Sequence, residues 1–494
     1  MQVFKKGSGI AGLWMVLAIL AGAGSTQAQG SRRDSVLVAA SMQYGNETWL
    51  RRLFLGSNYR RDWETPVKLP VFHLKAQGYT ISELGGGKQT KSLQLKDAQG
   101  REWALRTVDK DVTMGLPPAL RKTFFRRLTQ DQVSAAHPYA PLVVSRLARA
   151  MGVVAPAPKF YYIPDDPDFG EFRSMFAHTV CMLEEREPTP DGSDTRNSTS
   201  MIEKILADGT RVPDAESILK ARLLDMLVGD WDRHADQWRW ADRKREGATY
   251  YYGIPRDRDQ AFFRANAPVP RFMRILGLRF LVSFDGDFSN LKSLNYKSWP
   301  FDRFFLGSLD RETWKRALED IKTRLTDDVI RDAVRALPAE VYALSGPRIE
   351  RDLRGRRDRF ADKAMSYYKF LSGVVDVYGS NREEEFVASG SGDSLRVQVY
   401  QFAGGKRGRL LYERRFLRGD TRTVRLHGLR GNDRYTIAEG GSRIRVELLG
   451  EEGVDRYSVG RGQKVRIRDA DRATEGPAGK RDPRNDVAAG EPLR

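Results

Sequence analysis

The period of the apolar residues changes near Gly373, and this change limits the fold more than any other feature of the sequence. After it, apolar and polar residues alternate with a period of two, which indicates strands with one buried face. The alternation predicts a small antiparallel β domain over residues 374–468. Its clearest segments are 396–400, 423–426, 443–448 and 464–468.

Before Gly373, strand and helix patterns are mixed. The alternating segments 92–96 and 102–108 flank a turn that contains glycine, which predicts a hairpin. Apolar runs over 159–163 and 179–183 predict two further strands. Helical spacing predicts a helix over 131–151.

Helices dominate the second part of this region. The spacing predicts a helix over 214–228 with Asp214 as its N-cap. From 310 to 371 the chain reads as helical with breaks at Pro338 and Pro347. Thr326, followed by two acidic residues, is the expected N-cap of one of these helices.

The N-terminus has the composition of a secretory signal peptide. Lys5 and Lys6 precede an apolar run over 10–23, and small residues follow it up to Ala28. The run is too short to span a bilayer comfortably. We therefore expect cleavage after Ala28 and export to the periplasm or the cell surface, with an uncleaved N-terminal anchor as the alternative. No transmembrane helix is expected in the mature chain, because no later segment is apolar for long enough.

Charge and composition limit the classes of partner. The 494 residues carry a formal net charge of +18, or about +16 without Lys5 and Lys6, which favours anionic partners such as an acidic component of the cell envelope. Nucleic acid is not expected, because the basic residues are interleaved with acids. Cys181 is the single cysteine, so no intramolecular disulfide can form. The five scattered histidines lack the paired spacing of a zinc site, and no zinc is expected.

Two acid-bearing segments form the sharpest local pattern. The first is Gly229-Asp-Trp-Asp-Arg-His234, and the second contains Asp257 and Asp259. In phosphoryl transfer one carboxylate orients the acceptor, while a second carboxylate and an amide five residues after the first hold magnesium. Asp232 and Gln237 have this offset. Ion pairs that fix loops are the structural alternative.

The Asp-Arg-His segment and the Ile-Pro-x-Asp-x-Asp-x-x-Phe segment that begins at Ile254 resemble atypical kinases with a protein-kinase-like fold. These are the spore-coat CotH kinases, the HipA-type kinases and the secreted casein kinases. The resemblance implies that ATP and Mg²⁺ bind, that Asp232 is the catalytic base, and that Asp259, with Asp257 as the alternative, binds the metal. Those families usually carry Asn where Gln237 stands, so the second metal ligand departs from their pattern.

The resemblance also implies a nucleotide-binding set upstream. It consists of a glycine-rich turn over the phosphates, a cation on the following strand and a hinge beside adenine. The residues in these positions are Gly86, Gly87, Lys88 and Lys91 in the turn, Arg106 or Lys110 for the cation, and Glu184 within the hinge segment 182–186. An ordinary tight loop is the alternative for the glycines.

Over about 58–460 the chain also resembles a wider set of exported bacterial proteins. Members of that set join this region to a calcineurin-like metallophosphoesterase domain or to an outer-membrane barrel of the surface-antigen type. We expect neither neighbour here, because the phosphoesterase motifs and a series of barrel strands after 470 are missing from the sequence. The segments that carry the resemblance are 59–63, 85–92, 137–141, 184–186 and 229–234.

A second motif lies in the predicted β domain. Gly431-Asn-Asp-Arg-Tyr435 and Gly453-Val-Asp-Arg-Tyr457 recur 22 residues apart. The repeat predicts two equivalent turns in stacked hairpins. Gly-x-Asp turns are similar to fragments of calcium-binding nonapeptide repeats, but two copies favour a structural turn over a calcium site.

The predicted fold class is α+β, with a two-lobed protein-kinase-like domain followed by a small antiparallel β domain. The predicted function is ATP- and Mg²⁺-dependent phosphotransfer to a hydroxyl acceptor. The alternative is a non-catalytic pseudokinase scaffold or binding module with an outer-membrane protein as partner. The predicted boundaries are 1–28 for the signal peptide, 29–70 for a lead-in, 71–373 for the kinase-like domain with lobes over 71–186 and 187–373, 374–468 for the β domain, and 469–494 for a disordered tail.

Overall fold

The computed structural model describes residues 34–45, 48–85, 90–190, 193–245, 248–288 and 290–468. These residues form a mixed α/β fold with thirteen α-helices and five β-sheets. The predicted signal peptide and the predicted tail lie outside the described residues, as do Gly86, Gly87 and Lys88. No helix of the described part combines the length and the apolar character that a membrane crossing requires.

The described chain begins with a short antiparallel pair. β1 (Ser35–Val38) pairs with β2 (Val67–Pro70). Two helices, α1 (Trp49–Leu55) and α2 (Arg60–Glu64), lie between these strands. Arg60 is buried and forms an ion pair with Asp131 at 2.6 Å, so this segment is fixed to the body of the protein.

A five-stranded antiparallel sheet follows. Its strands in spatial order are β3 (Thr80–Leu84), β4 (Ser92–Lys96), β5 (Glu102–Thr107), β7 (Thr179–Glu185) and β6 (Lys159–Ile163). The predicted hairpin and the two predicted strands are confirmed. One face is apolar and buried, because Leu93, Leu95, Leu105 and Leu183 pack against each other there.

Three helices accompany this sheet. They are α3 (Phe124–Asp131), α4 (Ala140–Ala150) and α5 (Arg173–Phe176). The prediction of one helix over 131–151 is wrong in its first half, where a 3₁₀ turn over Gln132–Ala135 precedes α4. Pro138 explains the difference, because the residue before a proline is disfavoured in helical conformation.

The next region is mainly helical and also contains a three-stranded sheet. The sheet has the order β8 (Arg211–Pro213), β10 (Ala248–Pro255) and β9 (Trp238–Arg245). The helices are α6 (Ser198–Asp208), α7 (Ala215–Val228), α8 (Pro268–Ile275), α9 (Leu291–Leu294), α10 (Trp299–Leu306), α11 (Arg311–Arg324), α12 (Asp327–Val334) and α13 (Ala339–Ser372).

Two predicted helix features are confirmed and one is wrong. Asp214 caps α7 and accepts a hydrogen bond from the backbone N–H of Ser217 at 3.2 Å, and Thr326 caps α12 in the same way. The predicted break at Pro347 is wrong, because α13, which is 34 residues long in total, continues through this proline. A proline removes one helical hydrogen bond, and the burial of Ile349 and Leu353 in the core offsets that loss.

The strands after Gly373 form two sheets that face each other. One contains β11 (Val374–Tyr378), β15 (Thr423–His427), β17 (Arg445–Leu449) and β19 (Val465–Arg468), and all its pairs are parallel. The other has the order β14 (Lys406–Leu417), β13 (Ser394–Ala403), β12 (Glu384–Ser391), β16 (Arg434–Ile437) and β18 (Arg456–Val459). Its first two pairs are antiparallel, and the pairs made by β16 are parallel. We call these two sheets the β module.

The prediction of a purely antiparallel β domain is therefore wrong. The chain alternates between the two sheets, so that strands 22 residues apart, such as β15 and β17, pair side by side in the same direction. A period of two is the same for parallel and antiparallel strands, and it cannot distinguish them.

The 22-residue repeat is one coil of this arrangement and not a hairpin. Tyr435 and Tyr457 stack with their ring centroids 4.9 Å apart. The carboxylate of Asp455 accepts a hydrogen bond from the backbone N–H of Asp433 at 2.8 Å. The aspartates of the motif thus connect successive coils through the backbone, which is a structural role.

Candidate functional site

The two acid-bearing segments are connected to the same end of one hairpin. In the pair β9–β10, Trp238 at the start of one strand lies opposite Pro255 at the end of the other. The loop 229–237 therefore enters β9 beside the point where the turn 256–262 leaves β10. The backbone N–H of Arg256 donates to the carbonyl of Gln237 at 2.9 Å, which joins the two segments directly.

A buried ion cluster fixes both segments to α7. The carboxylate of Asp225, in the last turn of that helix, contacts Arg222 at 3.1 Å, Arg233 at 3.3 Å and Arg258 at 3.0 Å. Burial raises the pKa of Asp225, but the three guanidinium groups outweigh it and lower the pKa below its usual value. Because Arg233 belongs to the first segment and Arg258 to the second, one carboxylate orients both.

Asp232 lies at the partly exposed edge of this arrangement. Its side chain is 26% exposed, and its carboxylate accepts a hydrogen bond from the ammonium of Lys297 at 3.0 Å. That ammonium also lies over the rings of Trp231 and Phe280, 4.4 and 4.5 Å from their centroids. The two rings hold the cation in place by cation–π attraction.

The second segment presents its two acids to cations from the five-stranded sheet region. Asp259 forms an ion pair with Lys110 at 2.6 Å, and Asp257 forms one with Arg106. Asp257 has a φ of 52°, in the left-handed region that non-glycine residues rarely adopt. Strain of this kind is often found at functional sites. The structure thus brings both predicted acids to both predicted cations.

The predicted hinge segment lies inside a strand. β7 extends to Glu185, and its residues Met182 and Leu183 pair with β5 on one side and β6 on the other. The buried side chain of Glu184 points to the same face of the sheet as Arg106 and contacts it at 2.7 Å. The backbone at 182–183 is therefore occupied by the sheet, and the connection to the helical region begins only after Glu185.

Lys91 does not join the other predicted phosphate ligands. It precedes β4, and its ammonium donates to the carbonyl of Met175 at 3.5 Å. Met175 packs against the apolar face of the sheet, whereas Arg106 projects from the opposite face. The alternation of side chains along a strand explains this. Lys91 lies one position before the residue that pairs with Arg106, so its side chain points to the opposite face of the sheet.

Two buried oxygen atoms in the first segment have no hydrogen-bond partner within the described residues. They are Oε1 of Gln237 and Oδ2 of Asp230. Burial, with the charges of Asp225 and Asp259 nearby, raises the pKa of Asp230 to about 7. The amide oxygen of Gln237 is thus buried without a hydrogen-bond partner beside the candidate site, and the role of Gln237 as a metal ligand stays a prediction.

Metal-ligand geometry is incomplete in the protein alone. No group of three or more His, Cys, Asp or Glu side chains in the described ranges is arranged to hold a metal ion. Mg²⁺ in nucleotide sites is usually bound by only one or two carboxylates together with the phosphates and water. Asp259, Asp257 and the amide oxygen of Gln237 are the residues that could supply the protein ligands.

Sequence reasoning missed two parts of the site. Asp225 had a signal, because an acidic residue stands within a helix whose residues Ile218 to Val228 are almost all buried. Lys297 had none, because 65 positions separate it from Asp232 and nothing in its local sequence indicates the contact.

Comparisons with known proteins give structural neighbours only. No protein-family model matches the chain, and no curated protein matches its sequence. The proinflammatory kinase CtkA of Helicobacter pylori aligns with a TM-score of 0.33 and 12% identity, covering 60% of this chain and 98% of that one. HipA of the Shewanella oneidensis MR-1 toxin–antitoxin system gives 0.30 and 12%, covering 60% and 70%. The Golgi casein kinase gives 0.30 and 11%, covering 59% and 74%.

Proposed function

We propose that residues 71–373 form a two-lobed protein-kinase-like domain that binds ATP with Mg²⁺ and transfers a phosphoryl group to a hydroxyl acceptor. One observation carries the proposal. Lys110, which follows the third strand of the antiparallel sheet, meets Asp259, which follows the hairpin of the helical region, at 2.6 Å. In protein kinases a lysine from the third strand contacts the phosphates, and an acid after the catalytic loop binds the metal.

The order of the elements supports this proposal. The candidate catalytic loop 229–237 follows the buried helix α7 and precedes the β9–β10 hairpin, and the acid-bearing turn follows the hairpin. α4 lies between the third and fourth strands of the antiparallel sheet, where kinases carry the helix that orients the lysine. The buried arginines on Asp225 keep the loop and the turn in register.

The residues present are suited to Mg²⁺. Asp259, Asp257 and Gln237 would hold it, and the unpartnered buried oxygen of Gln237 is the kind of donor that such an ion requires. The ion would neutralise charge on the phosphates when bound. Lys110 and Arg106 would then bind phosphate oxygens in place of the carboxylates that they contact here.

Asp232 would act on the acceptor. Its carboxylate is partly exposed, so it can accept a hydrogen bond from the acceptor hydroxyl and orient it toward the phosphate. Lys297, whose ammonium contacts the rings of both Trp231 and Phe280, would stabilise negative charge on the transferred group.

A second candidate function, a scaffold that binds no nucleotide, is favoured by a specific observation. Each predicted acid already has a cation: Asp232 has Lys297, Asp257 has Arg106, and Asp259 has Lys110. Acids neutralised in this way need no metal to compensate their charge.

Ligand-induced thermal stabilisation separates the two functions. We expect millimolar ATP with Mg²⁺ to raise the unfolding temperature of the purified protein, because a ligand that binds only the folded state stabilises it. In Asp259→Ala the ligand-induced rise should disappear. Asp236→Ala is the matched control, because it removes an acid from the adjacent loop whose side chain is 90% exposed, and it should respond like the wild type. No rise in the wild type would support the scaffold.

Phosphotransfer needs its own test. Asp232→Asn should keep the ATP-induced rise in unfolding temperature but lose transfer of labelled phosphate from ATP to protein or added acceptor by at least about 100-fold. Equal transfer by the variant and the wild type would contradict the role of Asp232. Binding without transfer in the wild type would indicate a pseudokinase.

A further inference from the structure

Two neighbouring helices expose a set of large apolar side chains. The fractional exposure reaches 70% for Trp49 on α1 and 80% for Ile275 on α8. Large side chains of this kind are usually buried, and contiguous exposed sets mark interaction surfaces. We call this surface the α1–α8 face, defined by Trp49, Leu50, Leu53, Phe54, Phe272, Ile275, Leu276 and Leu278.

The two helices are close in space. A Cβ atom placed on Gly56, which ends α1, would lie 3.3 Å from the Cβ of Ala267, which precedes α8. The side chain of Arg264 reaches the carbonyl of Asn58 at 3.5 Å, which ties the two segments together near their bases. The exposed residues of both helices therefore belong to one region of the surface.

The charged residues within the two segments that form this face have a single sign. No acidic residue occurs from Thr48 to Arg61, or from Gln260 to Phe284. The first stretch contributes Arg51 and Arg52, and the second contributes Arg271, Arg274 and Arg279. Acid-free stretches with basic residues also occur elsewhere, for example over 112–130, and these two stretches border the α1–α8 face.

We propose that the α1–α8 face binds the surface of an anionic lipid bilayer. Helices that carry Trp, Phe, Leu and Ile beside arginines, without acids, lie in the plane of the interface with their apolar side chains among the acyl chains. The arginines are attracted to anionic headgroups within about a Debye length of the surface. Both elements of this chemistry are present on the same face.

A second copy of the chain is a poorer occupant. Pairing two α1–α8 faces would bring arginines of the same sign together, which opposes association. An acidic protein partner would attract the arginines, but it would also have to present a broad apolar surface of its own. A bilayer with anionic lipid supplies both the apolar layer and the negative charge.

The position of the face connects it to the candidate site. α8 lies between the turn that carries Asp259 and Phe280, and the ring of Phe280 stacks on Trp231 at 4.5 Å beside Asp232. A bilayer bound at this face would therefore lie on the segment that borders the acceptor side of the site. The membrane proposal does not depend on phosphotransfer.

Vesicle co-sedimentation of the purified full chain tests the proposal. We expect binding to vesicles of phosphatidylcholine with phosphatidylglycerol, weaker binding to phosphatidylcholine alone, and release by high salt. The double variant Leu53→Glu/Ile275→Glu should bind the anionic vesicles at least about tenfold more weakly, because it places two carboxylates in the contact. Any contribution of the apolar run near the N-terminus is common to both proteins and cancels in the comparison.

The matched control is Leu410→Glu/Leu417→Glu, which changes two exposed leucines of the β module and should bind like the wild type. Equal losses in the two double variants would overturn the proposal, as would equal binding of the wild type to neutral and anionic vesicles. Self-association that Leu53→Glu/Ile275→Glu abolishes, without vesicle binding by the wild type, would assign the face to a second copy and also overturn the proposal.

Discussion

The environment of Lys297 is typical of a functional residue. Its ammonium is held by Asp232 and by two aromatic rings, yet its side chain is still 35% exposed. The rings already limit the motion of the ammonium before a ligand binds. Ligand binding therefore costs little additional side-chain entropy.

We expect Lys297→Met to reduce phosphotransfer at least about 100-fold while it changes the free energy of unfolding by less than about 1 kcal/mol. The reason is that the ion pair is partly exposed, whereas charge stabilisation during transfer depends on the ammonium. Steady-state transfer and urea unfolding measure the two quantities. Lys292→Met is the control, because its ammonium lies over Phe370, 5.0 Å from the ring centroid. A similar loss of transfer in both variants would refute a specific role.

At the residue scale, the sequence indicated those candidate site residues that lie close to each other along the chain. The Asp232 and Gln237 pair and the Asp257 and Asp259 pair could be proposed from spacing alone, and the structure places the two pairs at one end of a hairpin. The orientation of Lys91 could not be predicted confidently, because it depends on where the strand begins. The contact between Lys297 and Asp232 could not be predicted at all, because it results from tertiary packing.

The stacked turns of the β module leave no room for a side chain at one glycine. Gly453 has a φ of 131°, and a Cβ there would overlap the carbonyl oxygen of Gly431 in the previous coil. We expect Gly453→Ala to destabilise the module by more than about 4 kcal/mol, as measured by urea unfolding. Gly404→Ala is the control for backbone strain alone, since Gly404 also has a positive φ but faces open space, and it should cost about 1 kcal/mol. Similar losses would show that the overlap is unimportant.

Asp433 links the stability of the module to pH. Burial, together with the charges of Glu384 and Asp455, raises the pKa of Asp433 to about 9. The unfolded carboxyl releases its proton near the ordinary value of 3.8, whereas the folded one keeps it until about 9. Stability attributable to this group therefore falls as the pH rises between these values.

The variant Asp433→Asn isolates this effect, because its amide oxygen can still accept the backbone N–H of Glu384 and it has no proton to lose. We expect its stability relative to the wild type to increase by at least about 2 kcal/mol between about pH 5 and about pH 8.5. Urea unfolding at the two pH values measures this. Asp393→Asn, at an exposed ion pair with Arg443, should show no such trend. A difference independent of pH would mean that Asp433 is ionised in the folded protein.

At the element scale, prediction succeeded where one segment determines its own conformation. The N-cap residues Asp214 and Thr326 begin helices as expected, because their side-chain oxygens satisfy nearby backbone N–H groups. The failures came from tertiary structure. α13 continues through Pro347 because its residues pack in the core. The strands of the module are parallel because successive coils stack on each other.

The β module is attached to the helical region by partly buried polar contacts. Asp420, whose side chain is 7% exposed, contacts Arg311 of α11 at 3.0 Å and the hydroxyl of Tyr368 of α13 at 3.3 Å. Burial raises the pKa of Asp420, but the hydrogen bonds from Arg311 and Tyr368 and the charge of Arg311 outweigh it and lower the pKa below its usual value. The module and the helical region should therefore unfold with some cooperativity.

We expect Asp420→Ala to lower the free energy of unfolding by about 1–3 kcal/mol, because it leaves Arg311 and Tyr368 without their shared acceptor. Limited proteolysis should also cut more readily near Gly373. Calorimetry and digestion with trypsin measure the two effects. Asp328→Ala, which removes an exposed partner of Arg331, should change stability by less than about 0.5 kcal/mol. Unchanged unfolding in Asp420→Ala would show that the two parts are thermodynamically independent.

The repeating coil also determines how this molecule can change in size. Each strand of the parallel ladders pairs only with the coil before it and the coil after it, and the contacts of Asp420 come from residues that precede β15. A tandem duplication of one 22-residue unit would add one strand to each sheet and one tyrosine to the aromatic column. Growth by whole increments would leave the contacts with the helical region untouched, so engineered forms can differ in module length by multiples of this unit.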